Sequence, residues 1–246
     1  MSRLPADTAH RPWPLPRSPW VMSMRWSDLA FLHWPVEHAA LRPLVHAGLE
    51  LGTFEGKSWL GVTPFLMDRT RARYLPSMFR LPPFLELNVR TYVSVEGKPG
   101  VWFFSLDAAN PLAVIGARWV FGLPYHDAHM KRRTSGQRID YRSIRSTKTG
   151  QHARFRGSYE PSGPSFHARP GSLEHWLTER YCLYSAKRGR LYRGDIHHGP
   201  WPLQPAAAQI EENTMASPLG VDVSGPPLAH FAHRLDVVAW PPHAVA

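Results

Sequence analysis

Polar and apolar positions alternate along ELNVRTYVSV, so period two puts Glu86, Asn88, Arg90 and Tyr92 on one face of a strand and Leu87, Val89, Thr91 and Val93 on the other. EGKPG then reads as a hairpin connection and VWFFSLDA as the partner strand. A row of long hydrogen-bonding groups beside an apolar strand either meets solvent or lines a closed cavity, and the pattern leaves both readings open. The period changes at Asn110-Pro111, a helix cap followed by the proline favoured in a first turn. Leu112, Ile115, Trp119 and Val120 recur near helical spacing, and Gly122 with Pro124 ends the element. Arg118 falls in its last turn, where a cation complements the helix carbonyls.

Elsewhere the patterning is shorter. Residues 20–34 are dense in aromatics and Met, the composition of a packed segment. Pro35 suits a first helical position, and VEHAALRPLV reads as a short helix cut by Pro43. KSWLGVTPFLM is a strand of mostly buried character, followed by a basic, mobile segment, DRTRARYLPSMFRLPP. QRIDYRSIR and QHARFRGSYE pair as a hairpin with arginines on both faces. Ser172 caps a helix, LEHWLTERYCLYSAKR, whose stripe is Leu173, Trp176, Leu177, Tyr181 and Tyr184. Arg180 lies within that apolar arc and needs a buried partner if it points inward, while Cys182 lies opposite the stripe. RLYRGDIHHGPWPLQPA gives a short strand and a Pro-rich loop, and LAHFAHRLDVVAWPP a last strand.

Composition sharpens this picture. The 246 residues hold 25 prolines and 18 glycines, which cut the chain into short pieces and favour strands and turns over long helices. Five prolines fall within residues 1–19, which read as a loose or surface-draped arm. The net charge is +10, and five lysines among 29 basic residues leave 24 arginines. Nine basic residues lie in 131–156, where Tyr141, Phe155 and Tyr159 could stack bases. Arginines on solvated strands also deter edge aggregation, and that duller role is preferred over a nucleic-acid partner. Cys182 is the lone cysteine, no apolar signal segment opens the chain, and no run is long enough for a membrane helix. A cytoplasmic protein without membrane contact is the expectation.

Candidate chemistry is sparse. The pairs His126/His129, His197/His198 and His230/His233 lack a third ligand at a recognisable spacing, so no metal is expected. No GxSxG elbow, P-loop or dinucleotide fingerprint occurs, and no cofactor is expected. Glu86 would need a raised pKa from burial to serve as an acid or base.

Several motifs together carry a resemblance: LAFLHWPV, LELGTFEGKSWLGVTPFLM, ELNVRTYV, GVWFFSLDA, ARWVFGLPY, LTERYCLY and IHHGPWPLQPA. Over residues 20–241 the chain resembles the YqjF-like family, bacterial proteins with a domain of unknown function in the acetoacetate decarboxylase-like superfamily. The resemblance implies an α+β, β-rich fold: one domain over 20–241, built as a bent antiparallel β-barrel with a few helices outside and a cavity within, flanked by the arm and a tail over 242–246. In the decarboxylase a lysine after a Gly-x-Pro turn forms a Schiff base and a second lysine lowers its pKa. Alignment on the turn puts Tyr125 and His126 at those positions, which removes imine chemistry there. By the same resemblance Glu86 matches a pocket carboxylate and Arg118 an arginine preceding the turn. Asn88 and Arg90 join by strand parity and Tyr125 by position, so the expected ligand site is Glu86, Asn88, Arg90, Arg118 and Tyr125, with Glu86 and Tyr125 as catalytic candidates.

Two alternatives stand beside a small-molecule-binding protein for an anionic or carbonyl-bearing ligand. One is a lyase or hydratase acting on a keto acid, for which Lys131 could supply the amine if the strand from Tyr125 runs that far. The other is a nucleic-acid or regulatory module using the 131–156 basic hairpin.

Overall fold

The computed structural model describes residues 7–76, 80–110, 122–146 and 152–245. Within these, thirteen strands form one hydrogen-bonded sheet. The first group along the chain is β1 (Met22–Val36), β2 (Glu50–Leu51), β3 (Ser58–Ala72), β4 (Phe84–Val95) and β5 (Lys98–Ala108). The middle group is β6 (Tyr125–Ser135), β7 (Arg138–Arg145) and β8 (Arg154–Pro161). The last comprises β9 (Cys182–Lys187), β10 (Arg190–His197), β11 (Leu203–Asn213), β12 (Leu228–Ala239) and β13 (His243–Ala244). Two short α-helices accompany them, α1 (His38–Leu41) and α2 (Leu173–Thr178).

Nine strands close a barrel in the order β5, β6, β7, β8, β11, β12, β1, β3, β4 and back to β5. Closure leaves this ring without a free edge. β9 and β10 bridge β5 to β12 and so close a smaller ring that shares β12, β1, β3, β4 and β5 with the first. The pairings are antiparallel except β5 with β6 and β5 with β9.

The hairpin expected at EGKPG forms with a shorter turn, Lys98, Pro99 and Gly100 opening β5, and a second hairpin forms where the pattern predicts helix. Val95 pairs with Lys98 across Glu96-Gly97, both at positive φ, and Lys187 pairs with Arg190 across Arg188-Gly189, again both positive. Two central residues of that hand match the twist of the flanking strands, and glycine takes the second without steric cost. β4 divides its side chains as its alternation requires: Leu87 and Val89 join a core with Tyr141, Phe155 and Tyr159, while Glu86, Asn88 and Arg90 belong to the opposite face.

Four sequence expectations change. The helix expected across LEHWLTERYCLYSAKR stops at Thr178, and Cys182, Tyr184 and Ser185 are buried on strand β9 instead. Pairing on both sides, with β5 and β10, satisfies backbone groups that a helix would satisfy internally, and tertiary context overrides the helical spacing. The cap forms as expected, with Ser172 accepting from the His175 N–H at 3.3 Å. Pro35 lies within β1, and the short helix begins after it at His38. DRTRA continues β3 to Ala72, and the Pro-rich LQPA opens β11, with Pro205 opposite His230. The expected helix after Asn110, with Arg118, lies outside the described residues.

The described part of the N-terminal arm is pinned rather than loose. Arg11 is buried and donates to the Ile196 carbonyl at 2.6 Å, and the Trp13 indole donates to Asp195 at 3.2 Å. Among the described residues no helix is long and apolar enough to cross a membrane.

Candidate functional site

The polar face of β4 opens on a cavity of about 120 Å³ inside the smaller ring. Its walls come from β1 (Met24, Trp26), β3 (Phe65, Met67), β5 (Val101, Phe103, Leu106) and the β9–β10 hairpin (Leu183, Ile196). A β-bulge helps shape it. The β4–β5 register shifts between Val89 and Arg90, so Phe103 and Leu106, three residues apart, both reach the cavity. Glu86, Asn88, Arg90 and Tyr125, four of the five residues expected at the site, line this one space. Arg118, the fifth, lies outside the described residues.

Glu86 and Tyr125 form a buried pair. Tyr125 begins β6 opposite Leu106, and its hydroxyl donates to Glu86 Oε2 at 3.1 Å. Glu86 is 2% exposed. Loss of hydration pushes its carboxyl from 4.5 up to about 8; the Tyr125 hydrogen bond opposes the shift, and the nearby Asp107 charge adds to it. Burial and the Glu86 carboxylate together hold the Tyr125 phenol well above its ordinary value. The Glu86 main chain is fixed as well, because the Tyr141 hydroxyl donates to its carbonyl at 2.8 Å. Burial thus favours the neutral form of this carboxyl, which can donate a hydrogen bond or a proton.

The other polar wall is cationic. Arg90 lies with its guanidinium 5.2 Å from the Phe31 ring centroid and 5.9 Å from that of Tyr92. Arg180, which alternation along β4 could not reveal, also lines the cavity, 4.7 Å from the Trp176 ring and 5.3 Å from that of Tyr92. Burial lowers its pKa to about 10, so it stays charged. The one sequence signal for it is an arginine in an apolar arc that needs a buried partner, and no carboxylate within ion-pair distance of it is found among the described residues. Tyr92 shares the parity of Glu86 but packs with Val101 and Leu177, its hydroxyl 2.5 Å from His33 Nε2. It supports both guanidinia from behind.

Lys131 does not take part. It shares the exposed parity of β6 and is solvent-exposed, and no lysine lines the cavity among the described residues. Cys182 is buried in β9, and burial pushes its thiol up to about 12, away from thiolate chemistry. No cluster of three or more metal-ligating side chains occurs among the described residues. Five arginines of the basic segment are met by carboxylates, four of them from other parts of the chain. Arg145 is buried against Asp107 at 2.8 Å, Arg132 pairs with Asp28, and Arg138, Arg154 and Arg156 pair with Asp140, Glu212 and Glu211.

Comparison with known proteins places the chain. The profile of the DUF2071 family, described as an uncharacterized conserved protein, matches residues 23–236. The uncharacterized protein YqjF of Bacillus subtilis is 47% identical over 228 residues, 92% of this chain and 93% of that one. Among solved structures, the enduracididine biosynthesis enzyme MppR complexed with pyruvate superposes with a TM-score of 0.64 at 13% identity, covering 93% of this chain and 91% of that one. An acetoacetate decarboxylase-like enzyme from Sphingomonas wittichii RW1 superposes with a TM-score of 0.62 at 12% identity, covering 93% and 94%. At those identities the structural likeness establishes the acetoacetate decarboxylase-like fold alone.

Proposed function

The chain belongs to the DUF2071 family, and from that premise and the geometry of its cavity we propose a protein that binds a small anionic or carbonyl-bearing molecule and handles it without a Schiff base. The observation that carries the reading is the buried Glu86–Tyr125 pair, a carboxyl that burial favours in its neutral form, facing a cavity that no described lysine lines. A neutral acid beside a ligand carbonyl donates a hydrogen bond that an ionised carboxylate would withhold. The cavity suits this ligand size: about 120 Å³ is several times what one water needs, roughly 10–15 Å³, and well below the space of a drug-sized pocket. The MppR structure is described as holding pyruvate, which makes pyruvate a reasonable first probe.

The lyase or hydratase reading is favoured by one further observation, that the same carboxyl is raised to about 8, a value suited to a general acid at neutral pH. The experiment for both is borohydride treatment in the presence of pyruvate, followed by intact mass and peptide mapping. No lysine adduct is expected. An adduct on a cavity lysine would overturn the reading.

A further inference from the structure

The hydrogen-bonding balance of the cavity states what kind of ligand it is built for. Five buried donor nitrogens on lining residues have no partner: Arg90 Nε, Arg180 Nε and Nη2, Trp26 Nε1 and Trp201 Nε1. One buried acceptor, Asn88 Oδ1, is likewise unpartnered, and turning that amide over only adds a donor. Buried donors left unpaired cost free energy, and a buried cation without a counter-charge costs more. Such an excess persists in a native fold when something else completes it.

Arg180 is the centre of this imbalance. It is 8% exposed and has no carboxylate within ion-pair distance among the described residues, and its Arg90 neighbour brings like charge rather than compensation. Its setting is rigid. The Arg180 N–H donates to the Thr178 carbonyl at 2.9 Å, its own carbonyl lies 3.2 Å from His198 Nε2, and the adjacent Glu179 accepts from the Trp201 N–H at 2.9 Å. The two aromatic faces of Trp176 and Tyr92 then hold the guanidinium plane, as an arginine fork needs if it is to meet a planar oxyanion. Asp195, the other carboxyl group at the cavity wall, is already engaged by Arg193 at 3.2 Å and by Trp13.

From this we infer that the ligand is a carboxylate with at least one further oxygen acceptor, and that Arg180 is the residue that recognises its charge, with Arg90 and the two indole N–H groups taking the remaining oxygens. The inference rests on the reading of the cavity as a ligand site and narrows it.

The test is thermal unfolding and calorimetric titration of the full chain with malonate and pyruvate, set against their neutral amides, malonamide and pyruvamide. In the wild-type protein the carboxylates raise the melting temperature and the amides do not. R180M weakens carboxylate binding about 10- to 100-fold, the loss of one or two charged hydrogen bonds. It also melts higher than wild type without ligand, because an uncompensated buried charge has been replaced by a hydrophobe of similar length. R180K, which keeps the charge and the fold but loses the fork, retains an intermediate affinity. An R180M protein that melts lower yet responds to carboxylates like wild type makes Arg180 structural and overturns the inference. Equal response to acids and amides overturns it too while leaving the cavity reading intact, whereas no response to any of the four probes sinks both.

Discussion

Glu86 has its proton held by its surroundings, and that has a thermodynamic consequence. Its pKa rises from 4.5 to about 8 on folding, so between these values the native state carries a proton that the unfolded chain has released. Stability therefore falls as pH rises through that window, by a total on the order of 5 kcal/mol if the shift is complete. Glu86→Gln keeps the shape and removes the titration. Relative to wild type, E86Q should gain stability between pH 5 and pH 9, read as the difference in urea midpoints at the two values. A constant difference across that range would mean that Glu86 is ionised in the fold. If the same proton contributes to ligand contact as proposed, carboxylate affinity should drop above about pH 8 in wild type and stay flat in E86Q, checked by calorimetric titration across pH 6–9, below the range in which Arg180 loses its charge.

At the scale of elements, the seam between β5 and β9 decides whether the cavity has a wall. The two strands meet in parallel at Val101–Leu183 and Trp102–Tyr184, beside Gly100. A Cβ at Gly100 would sit 2.7 Å from Cys182 Sγ and 2.8 Å from the Cys182 carbonyl oxygen, closer than packed atoms approach. Gly100→Ala should cost about 1–3 kcal/mol of stability, as overpacking does, and loosen ligand binding in proportion. An alanine variant with unchanged melting temperature and affinity would mean the seam is looser than described. This seam also marks where sequence reading ends. Parity along β4 is local, so Glu86, Asn88 and Arg90 could be assigned to one face from ten residues, and EGKPG contained its turn, at Glu96-Gly97. The stripe Leu173, Trp176, Leu177, Tyr181, Tyr184 fits a helix just as locally, yet from Cys182 onward the chain is a strand, because its partners lie some eighty residues away in β5 and next door in β10. Arg180 falls at that helix-to-strand change, so its place in the cavity could not be read from either period.

For the molecule as a whole, the closure of two rings over one shared wall gives β4 its two environments, an apolar core on one face and a polar cavity on the other. The resemblance conveyed the barrel; the second ring through β9 and β10, which contains the cavity, had no signature in the pattern of any one segment. The net charge of +10 is spread over a surface where several arginines are met by carboxylates, among them pairs exposed enough to add about 0–1 kcal/mol each. In the proposed reading the functional weight falls on the interior, where burial favours a neutral Glu86 carboxyl and Arg180 has no carboxylate partner among the described residues. Its most direct test is a pH titration of the ¹³C-labelled glutamate carboxyls by NMR in the ligand-free protein, with the Glu86 signal assigned by its loss in E86Q. A Glu86 midpoint near 8 is predicted; a midpoint near the ordinary carboxyl value, with the group ionised at pH 7, would contradict the account.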